Sequence, residues 1–377
     1  MKCAVWGAGR VGEWFKNAIE YGGAKEQFEI VCFGDNSEKM IGVCKENLLV
    51  YTLEQIRELY KQREIDMVII ATRNRFVKEI SLQLSEAGIT ELYMLPEHIW
   101  GKKLYDIDWR RDLVKIDTAK PRLEYFEYHV ADHCNLNCKG CGHMCPVVKE
   151  PSFGDYEQYV KDLKRLRELV WGVHRIRLMG GEPLLNNELP KFVRISREIF
   201  PDANISVVTN GLLIPKSAPE LFKTMYENDC AFDITCYKPT EKLVPKIRMI
   251  CDLYGVKCRI SPLVEEFWKR RKPTGEEDVE KSFQNCMSNK CAFLKDGKIA
   301  TCVVPFMINL YNNEFGLEMM VGNNDVVNLY DELLNGWELV EKLSSPIEVC
   351  RYCSSVPESY KWESIGSAYT MKDWVVE

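Results

Sequence analysis

Three cysteines within eight residues, Cys134, Cys138 and Cys141, stand on a loop that directly follows the apolar, strand-like stretch 124–130. So many thiols at a strand end constrain the fold strongly, because that strand must belong to a sheet whose ends gather side chains into one site. The spacing Cys-x3-Cys-x2-Cys offers three corners of a cubic iron–sulfur cluster and leaves the fourth iron without a protein ligand. An open iron can chelate a substrate, as a catalytic zinc keeps a vacant position. A second reading stays open beside it. Cys145-Pro146 echoes the tail of the ferredoxin run Cys-x2-Cys-x2-Cys-x3-Cys-Pro, and with Cys145 as fourth ligand the cluster would be closed and serve only electron transfer. The first spacing does not match that run, and no second full run exists. A structural zinc is the third reading, and supporting or surface roles are expected for His133 and His143.

Sixteen cysteines in 377 residues also need a compartment. The chain opens on a strand-like stretch running straight into a glycine turn, without the apolar core of a secretory signal, so a reducing cytoplasmic setting is expected. Disulfides are then disfavoured, leaving packing, catalysis and metal binding as uses for the thiols. Cys3, Cys32, Cys44, Cys230, Cys236, Cys251 and Cys258 lie singly, mostly among apolar neighbours, and read as small buried apolar side chains. The longest apolar run, 67–71, is far below the ~18 residues of a membrane span. A net charge of −6 offers no field attractive to nucleic acid.

Strand-like and helix-like segments alternate over the first hundred residues, which implies βαβ units and a parallel sheet. The reading is α/β: a small Rossmann-like domain (1–98), a linker (99–120), a second βα series (121–282) and a cysteine-rich tail (283–377). Strands of the second series are expected near 124–130, 176–179, 205–208, 232–235 and 257–261, with a helix over 155–170 striped by Tyr159, Leu163, Leu166 and Val170. The charged stretch 264–282, with Lys269-Arg270-Arg271-Lys272, reads as a solvated loop.

With these motifs in order the chain resembles the radical S-adenosylmethionine (SAM) enzymes, whose hallmark is the triplet Cys134, Cys138 and Cys141. The resemblance covers roughly residues 122–265 and implies a partial (β/α)6 barrel. It also implies a [4Fe–4S] cluster whose open iron binds SAM, and reductive cleavage of SAM to a 5′-deoxyadenosyl radical. Gly180-Gly181-Glu182 resembles the family segment that holds the SAM amino group, and Thr209-Asn210 the segment that meets the ribose. Gly140 departs from the pattern, since many members carry an aromatic residue there. The tail is similar to the auxiliary-cluster (SPASM/Twitch-like) domains of this family, through Cys286, Gly297 and Cys302 and the pair Cys350 and Cys353. That implies a second [4Fe–4S] cluster, with zinc as the alternative occupant; either Cys286 or Cys291 supplies the first ligand, spacing favouring Cys286. A flavodoxin- or ferredoxin-type electron donor follows from the same resemblance.

Gly7-x-Gly9-x2-Gly12, after a strand and before a helix, is a dinucleotide fingerprint, with Asp35 ending the next strand as a ribose acceptor. A nucleotide or nucleotide-sugar, a redox nicotinamide and a docking role all stay open for it. This head resembles small Rossmann domains of surface-polysaccharide enzymes, so the expected substrate is a small molecule, a sugar or nucleotide-sugar. Peptide modification is the rival within the family, and a non-catalytic electron-transfer protein the rival outside it. No general base stands out; Tyr237, Glu265 and Glu266, near strand ends, read as structural or surface residues.

Overall fold

A computed structural model describes residues 1–21, 27–100, 109–366 and 368–376. The chain forms two compact units: Met1–Arg122 with Val170–His174 and Phe200–Asn204, and Leu123–Leu169 with Arg175–Ile199 and Ile205–Glu377. No helix among the described residues is long and apolar enough to cross a membrane.

In the first unit the expected strands are all present: β1 (Lys2–Trp6), β2 (Glu29–Gly34), and, past the short strands β3 (Cys44–Lys45) and β4 (Leu48–Tyr51), β5 (Met67–Ile70) and β6 (Leu92–Met94). Each of β1, β5 and β6 is almost wholly apolar, as strands covered on both faces must be. Helices α1 (Arg10–Tyr21), α2 (Leu53–Lys61) and α3 (Asn74–Glu86) connect them, α2 entered through a Thr52–Gln55 capping box. Strands β4 and β3 are additions to the sequence reading. They form a hairpin whose turn residues, Glu46 and Asn47, both adopt positive φ, at 48° and 63°. Part of the expected linker, 101–108, lies outside the described residues. The rest of it holds the short helix α4 (Trp109–Asp112) and β7 (Val114–Lys115), which closes the sheet antiparallel to β6. The order is β3-β4-β2-β1-β5-β6-β7.

The second sheet is built on β8 (Arg122–Ala131), β9 (Gly172–Gly180), β10 (Asn204–Thr209), β11 (Ala231–Ile234) and β12 (Cys258–Ile260), neighbours in chain order. Between them run α5 (Tyr156–Leu169), α6 (Leu189–Ile199), α7 (Pro219–Glu227), α8 (Lys238–Glu241) and α9 (Val244–Tyr254). The predicted stripe on α5 is fully buried. Beside it Asp162 is buried too, its carboxylate accepting from Gln158, the Gly297 amide and the Tyr330 hydroxyl.

One expectation fails. The stretch 264–282 is not a solvated loop: it forms β13 (Glu266–Arg271), antiparallel to β17 (Cys353–Lys361), and α10 (Val279–Gln284), capped by Asp278. The charged side chains hide a strand whose pairing partner lies almost ninety residues away, beyond any local signal. The tail adds β14 (Phe293–Lys295), β15 (Lys298–Ala300) and β16 (Val327–Asn328), with α11 (Val304–Phe315) and α12 (Gly336–Leu343). β14 lies parallel to β8, Phe293 opposite Glu127 and Leu294 opposite Tyr128, so the tail extends the central sheet. All sixteen cysteines are unpaired; among those read as buried apolar residues, Cys44 is exposed and Cys258 half-buried.

Within the first unit the Arg122 guanidinium donates twice to Asp202 and once to the Asn74 carbonyl, at 2.9–3.2 Å, with side chains 1% and 0% exposed. Asp202→Ala strands a buried cation and is expected to cost roughly 3–5 kcal/mol. Removing the exposed Lys115–Glu91 pair should cost far less, because solvent screens it. Urea unfolding of the two variants side by side checks the contrast; equal losses would refute it.

Candidate functional site

β8 ends at Ala131, and residues 132–141 leave it as the cysteine loop. β9 runs out directly against this loop, which is why it ends in two glycines. A Cβ on Gly180 would stand 1.9 Å from the Ala131 oxygen, and one on Gly181 2.0 Å from the His133 oxygen. The Gly181 and Glu182 amides donate to those same carbonyls, at 2.8 and 3.0 Å.

The Glu182 side chain is wholly buried. Its carboxylate accepts from the Thr209 hydroxyl at 2.6 Å and the amides of Leu184 and Asn210 at 3.1 and 2.9 Å. Burial, opposed by these hydrogen bonds, raises its pKa to about 7. Asn210 donates to Asn135 Oδ1 at 2.8 Å and lies 3.9 Å from Cys134 Sγ. Gly180, Gly181, Glu182, Thr209 and Asn210 thus form one hydrogen-bonded wall that ends on the first cysteine.

The three thiols face one another closely enough for their charges to interact. Burial raises the Cys134 pKa to about 11 and also raises that of Cys138, where Trp362 and the Tyr237 hydroxyl oppose the rise. Within this buried pair Cys141 is held below the ordinary thiol value and Cys145 above it, each by the other, while the Cys145 thiol donates to the His143 carbonyl at 3.8 Å. The Leu136 amide donates to Cys134 Sγ at 3.4 Å. Among the described residues no three Cys, His, Asp or Glu side chains close around a single point as one ion requires. Three soft thiols on one loop, the first accepting from the Leu136 amide and Asn210, fit an iron–sulfur cluster by their chemistry. Tyr237, read from sequence as structural or surface, lies beside all four thiols and stacks on Trp362 at 5.0 Å.

The far side of the loop is held by the end of the chain. Tyr360 donates to the Lys139 carbonyl at 2.6 Å and Trp374 to the Cys141 carbonyl at 2.8 Å, while the Lys139 amide donates to Glu363 and the Ile365 amide to Asn137. Gly140, at φ 58°, fits beneath them: a Cβ there would meet the Tyr360 hydroxyl at 2.2 Å and the Asp373 carbonyl at 2.5 Å. This explains the departure at Gly140, because no aromatic side chain has room at that position.

A cavity of about 400 Å³ joins Gly140, Gly142 and His143 of this loop to Cys286, Cys291, Cys302, Cys350 and Cys353. The Cys353 sulfur accepts from Arg271 at 2.8 Å and the Cys286 sulfur from the Ser288 amide at 3.3 Å. Burial raises the pKa of Cys302, with Cys353 and Cys350 adding to the rise. Cys286 bears on Cys350, whereas the charges around Cys291 are Glu127, Arg177 and Cys286. This second thiol set suits a cluster by the same chemistry. His143 reaches the cavity at the end of a buried chain: Lys295 to Asp132 at 2.7 Å, Asp132 to His129 at 2.9 Å, and His129 to His143 at 2.8 Å. Burial lowers the His129 pKa to about 4. Arg177, inside β9, and Arg271, expected from sequence in a solvated loop, line the cavity without a local signal for that role.

In the first unit, Gly7 (φ 115°) and Gly12 permit close packing, Gly12 directly against the Gly7 carbonyl, while a Cβ on Gly9 would meet nothing within 4 Å. Asp35 accepts from the Ala8 amide of the same turn and from Ser37, both at 2.9 Å. The four residues therefore gather at one place.

Comparison with known proteins bears on both units. Residues 128–250 match the radical SAM superfamily, and residues 1–94 the family described as C2185-like, N-terminal. GTP 3′,8-cyclase of Nautilia profundicola is 32% identical over 108 residues, 28% of this chain and 33% of that protein. The Clostridium acetobutylicum GTP 3′,8-cyclase is 34% identical over 110 residues, 29% and 34% of the two chains. The chain thus spans about a third of the length of these relatives. Among solved structures, anSMEcpe with bound AdoMet is 22% identical over 37% of this chain and 43% of its own, with a TM-score of 0.31.

The buried carboxyl of Glu182 makes a pH prediction. Folded, it holds its proton to about pH 7; at its ordinary value it would release it near 4.5. Its contribution is full below about 4.5 and is lost as pH rises through 7. The Tm of the metal-free protein, scanned between about pH 5 and 8, should therefore fall more steeply for wild type than for Glu182→Gln. Parallel curves would refute it.

Proposed function

We propose, from the premise that this chain belongs through residues 128–250 to the radical SAM superfamily, that its second unit cleaves SAM and abstracts hydrogen from a small-molecule substrate held between two clusters. The observation that carries the proposal is the cavity with the loop of Cys134, Cys138 and Cys141 at one end and the second thiol set at the other. When bound, a [4Fe–4S] cluster supplies the electron that splits the carbon–sulfur bond of SAM.

The chain's own residues do the rest. Cys134, Cys138 and Cys141 hold the cluster; Gly180, Gly181 and Glu182 serve the SAM amino group, and Thr209 and Asn210 its ribose. Cys302, Cys350, Cys353 and Cys286 hold the auxiliary cluster, with Cys291 beside them. The favoured substrate is a sugar or nucleotide-sugar of glycan assembly; relatives named for a reaction of GTP, and a glycine turn with an open position at Gly9 in the first unit, support a nucleotide component. The electron donor is a flavodoxin or ferredoxin, and the setting cytoplasmic. The closed-cluster electron carrier keeps one observation in its favour, the burial of the Cys145 thiol close to Cys141.

The test is dithionite-driven release of 5′-deoxyadenosine by anaerobically reconstituted protein. Cys138→Ala should abolish release. Cys302→Ala should retain cleavage but stop substrate turnover, and Cys145→Ala should keep the first cluster's iron. Loss of that iron in Cys145→Ala, or no release at full iron occupancy, would favour the electron carrier.

A further inference from the structure

The cavity between the cysteine loop and the second thiol set has a charge pattern unrelated to iron. Three guanidinium groups line it, Arg177, Arg270 and Arg271, against the carboxylate of Glu127. Two of these four charges are already engaged. Arg271, 7% exposed, donates to the Cys353 sulfur, and Glu127, 5% exposed, accepts from the Tyr125 hydroxyl at 2.7 Å. The other two are met less fully. Among the described residues Arg270 makes no ion pair. Arg177, its side chain a third exposed, makes a loose ion pair with Asp233 at 3.9 Å, whose other oxygen is taken by Arg259, and lies over the Tyr125 ring; its Nε is buried without a hydrogen-bond partner. An unmet buried donor of this kind is costly, and an anionic ligand removes the cost.

We infer that the cavity takes a phosphorylated substrate, gripped by Arg177 and Arg270 through its phosphoryl or diphosphoryl group. Three guanidiniums against one carboxylate leave the lining with an excess of about two positive charges, which a phosphoryl group matches and a single carboxylate does not. The guanidinium fork matches phosphate oxygens in pairs. Tyr125, Phe267 and Trp268 line the same space and offer faces for an apolar or ring portion. The inference rests on the preceding reading only for what the two ends of the cavity do.

The experiment is calorimetric titration of the anaerobically reconstituted full chain with two pairs of probes: glucose 1-phosphate against glucose, and uridine diphosphate against uridine. The phosphorylated member of at least one pair should bind at least tenfold more tightly, and less tightly as salt rises. Tighter binding of the sugar phosphate assigns a sugar phosphate to the site; of the diphosphate, a nucleotide. Arg177→Gln and Arg270→Gln should each weaken that binding at least tenfold, with Arg177→Lys recovering part of it. Lys269→Gln, whose side chain pairs instead with Glu358, should leave it unchanged. Equal binding within both pairs, or unaltered binding in both arginine variants, overturns the inference. Release of 5′-deoxyadenosine is measured on the same samples. Cleavage without phosphate-dependent binding overturns the phosphate site alone, and binding without cleavage overturns the radical reading alone.

Discussion

A cysteine loop has no regular hydrogen-bonding pattern of its own, so its shape must be imposed from outside, and the rest of the site depends on that imposition. Here the work is divided between two segments far apart in sequence. The end of β9 pairs with the start of the loop through the Ala131 and His133 carbonyls, at a distance only glycine permits. The chain's last twenty residues satisfy its middle and end, at Leu136, Asn137, Lys139 and Cys141. Three thiols on a loop secured in this way stay close together, while Gly140 of the same loop lines the cavity.

Burial in this unit is selective in its chemistry. Asp162 and Glu182 lie fully inside, yet each accepts three hydrogen bonds, so each ties elements together instead of destabilising them. Asp132 is held well below the ordinary carboxylate range by His129 and Lys295, which anchors the strand-to-loop turn just before Cys134. Arg177 is the exception, with an unmet donor at the wall of a cavity.

What could be read in the sequence follows from the range of the interactions involved. Apolar runs such as 67–70 and the stripe on α5 are local, and they located the parallel strands and their helices. The cysteine spacing and Gly180-Gly181-Glu182 are local too, and the structure brings them together. The hairpin of β3 and β4 was too short to carry a period. β13 was hidden because its charged side chains line a pairing with β17 and a cavity, so polarity there reflects partners distant in sequence, not solvent. Trp362, Tyr360 and Trp374 gave no signal at all, since their meaning depends on where the chain's end returns.

That return also bears on how the two thiol sets are related. β17 begins at Cys353, whose sulfur accepts from Arg271 on the paired strand β13, and continues to Tyr360, whose hydroxyl holds the carbonyl before Gly140. One strand therefore links a thiol of the second set to the loop that carries the first. A change at Cys353 or Arg271 has a short covalent and hydrogen-bonded path to the cysteine loop, and the antiparallel pairing of β13 fixes the length of that path. The spacing of the two ends of the cavity is thus set by β-strand geometry, not by the packing of flexible side chains.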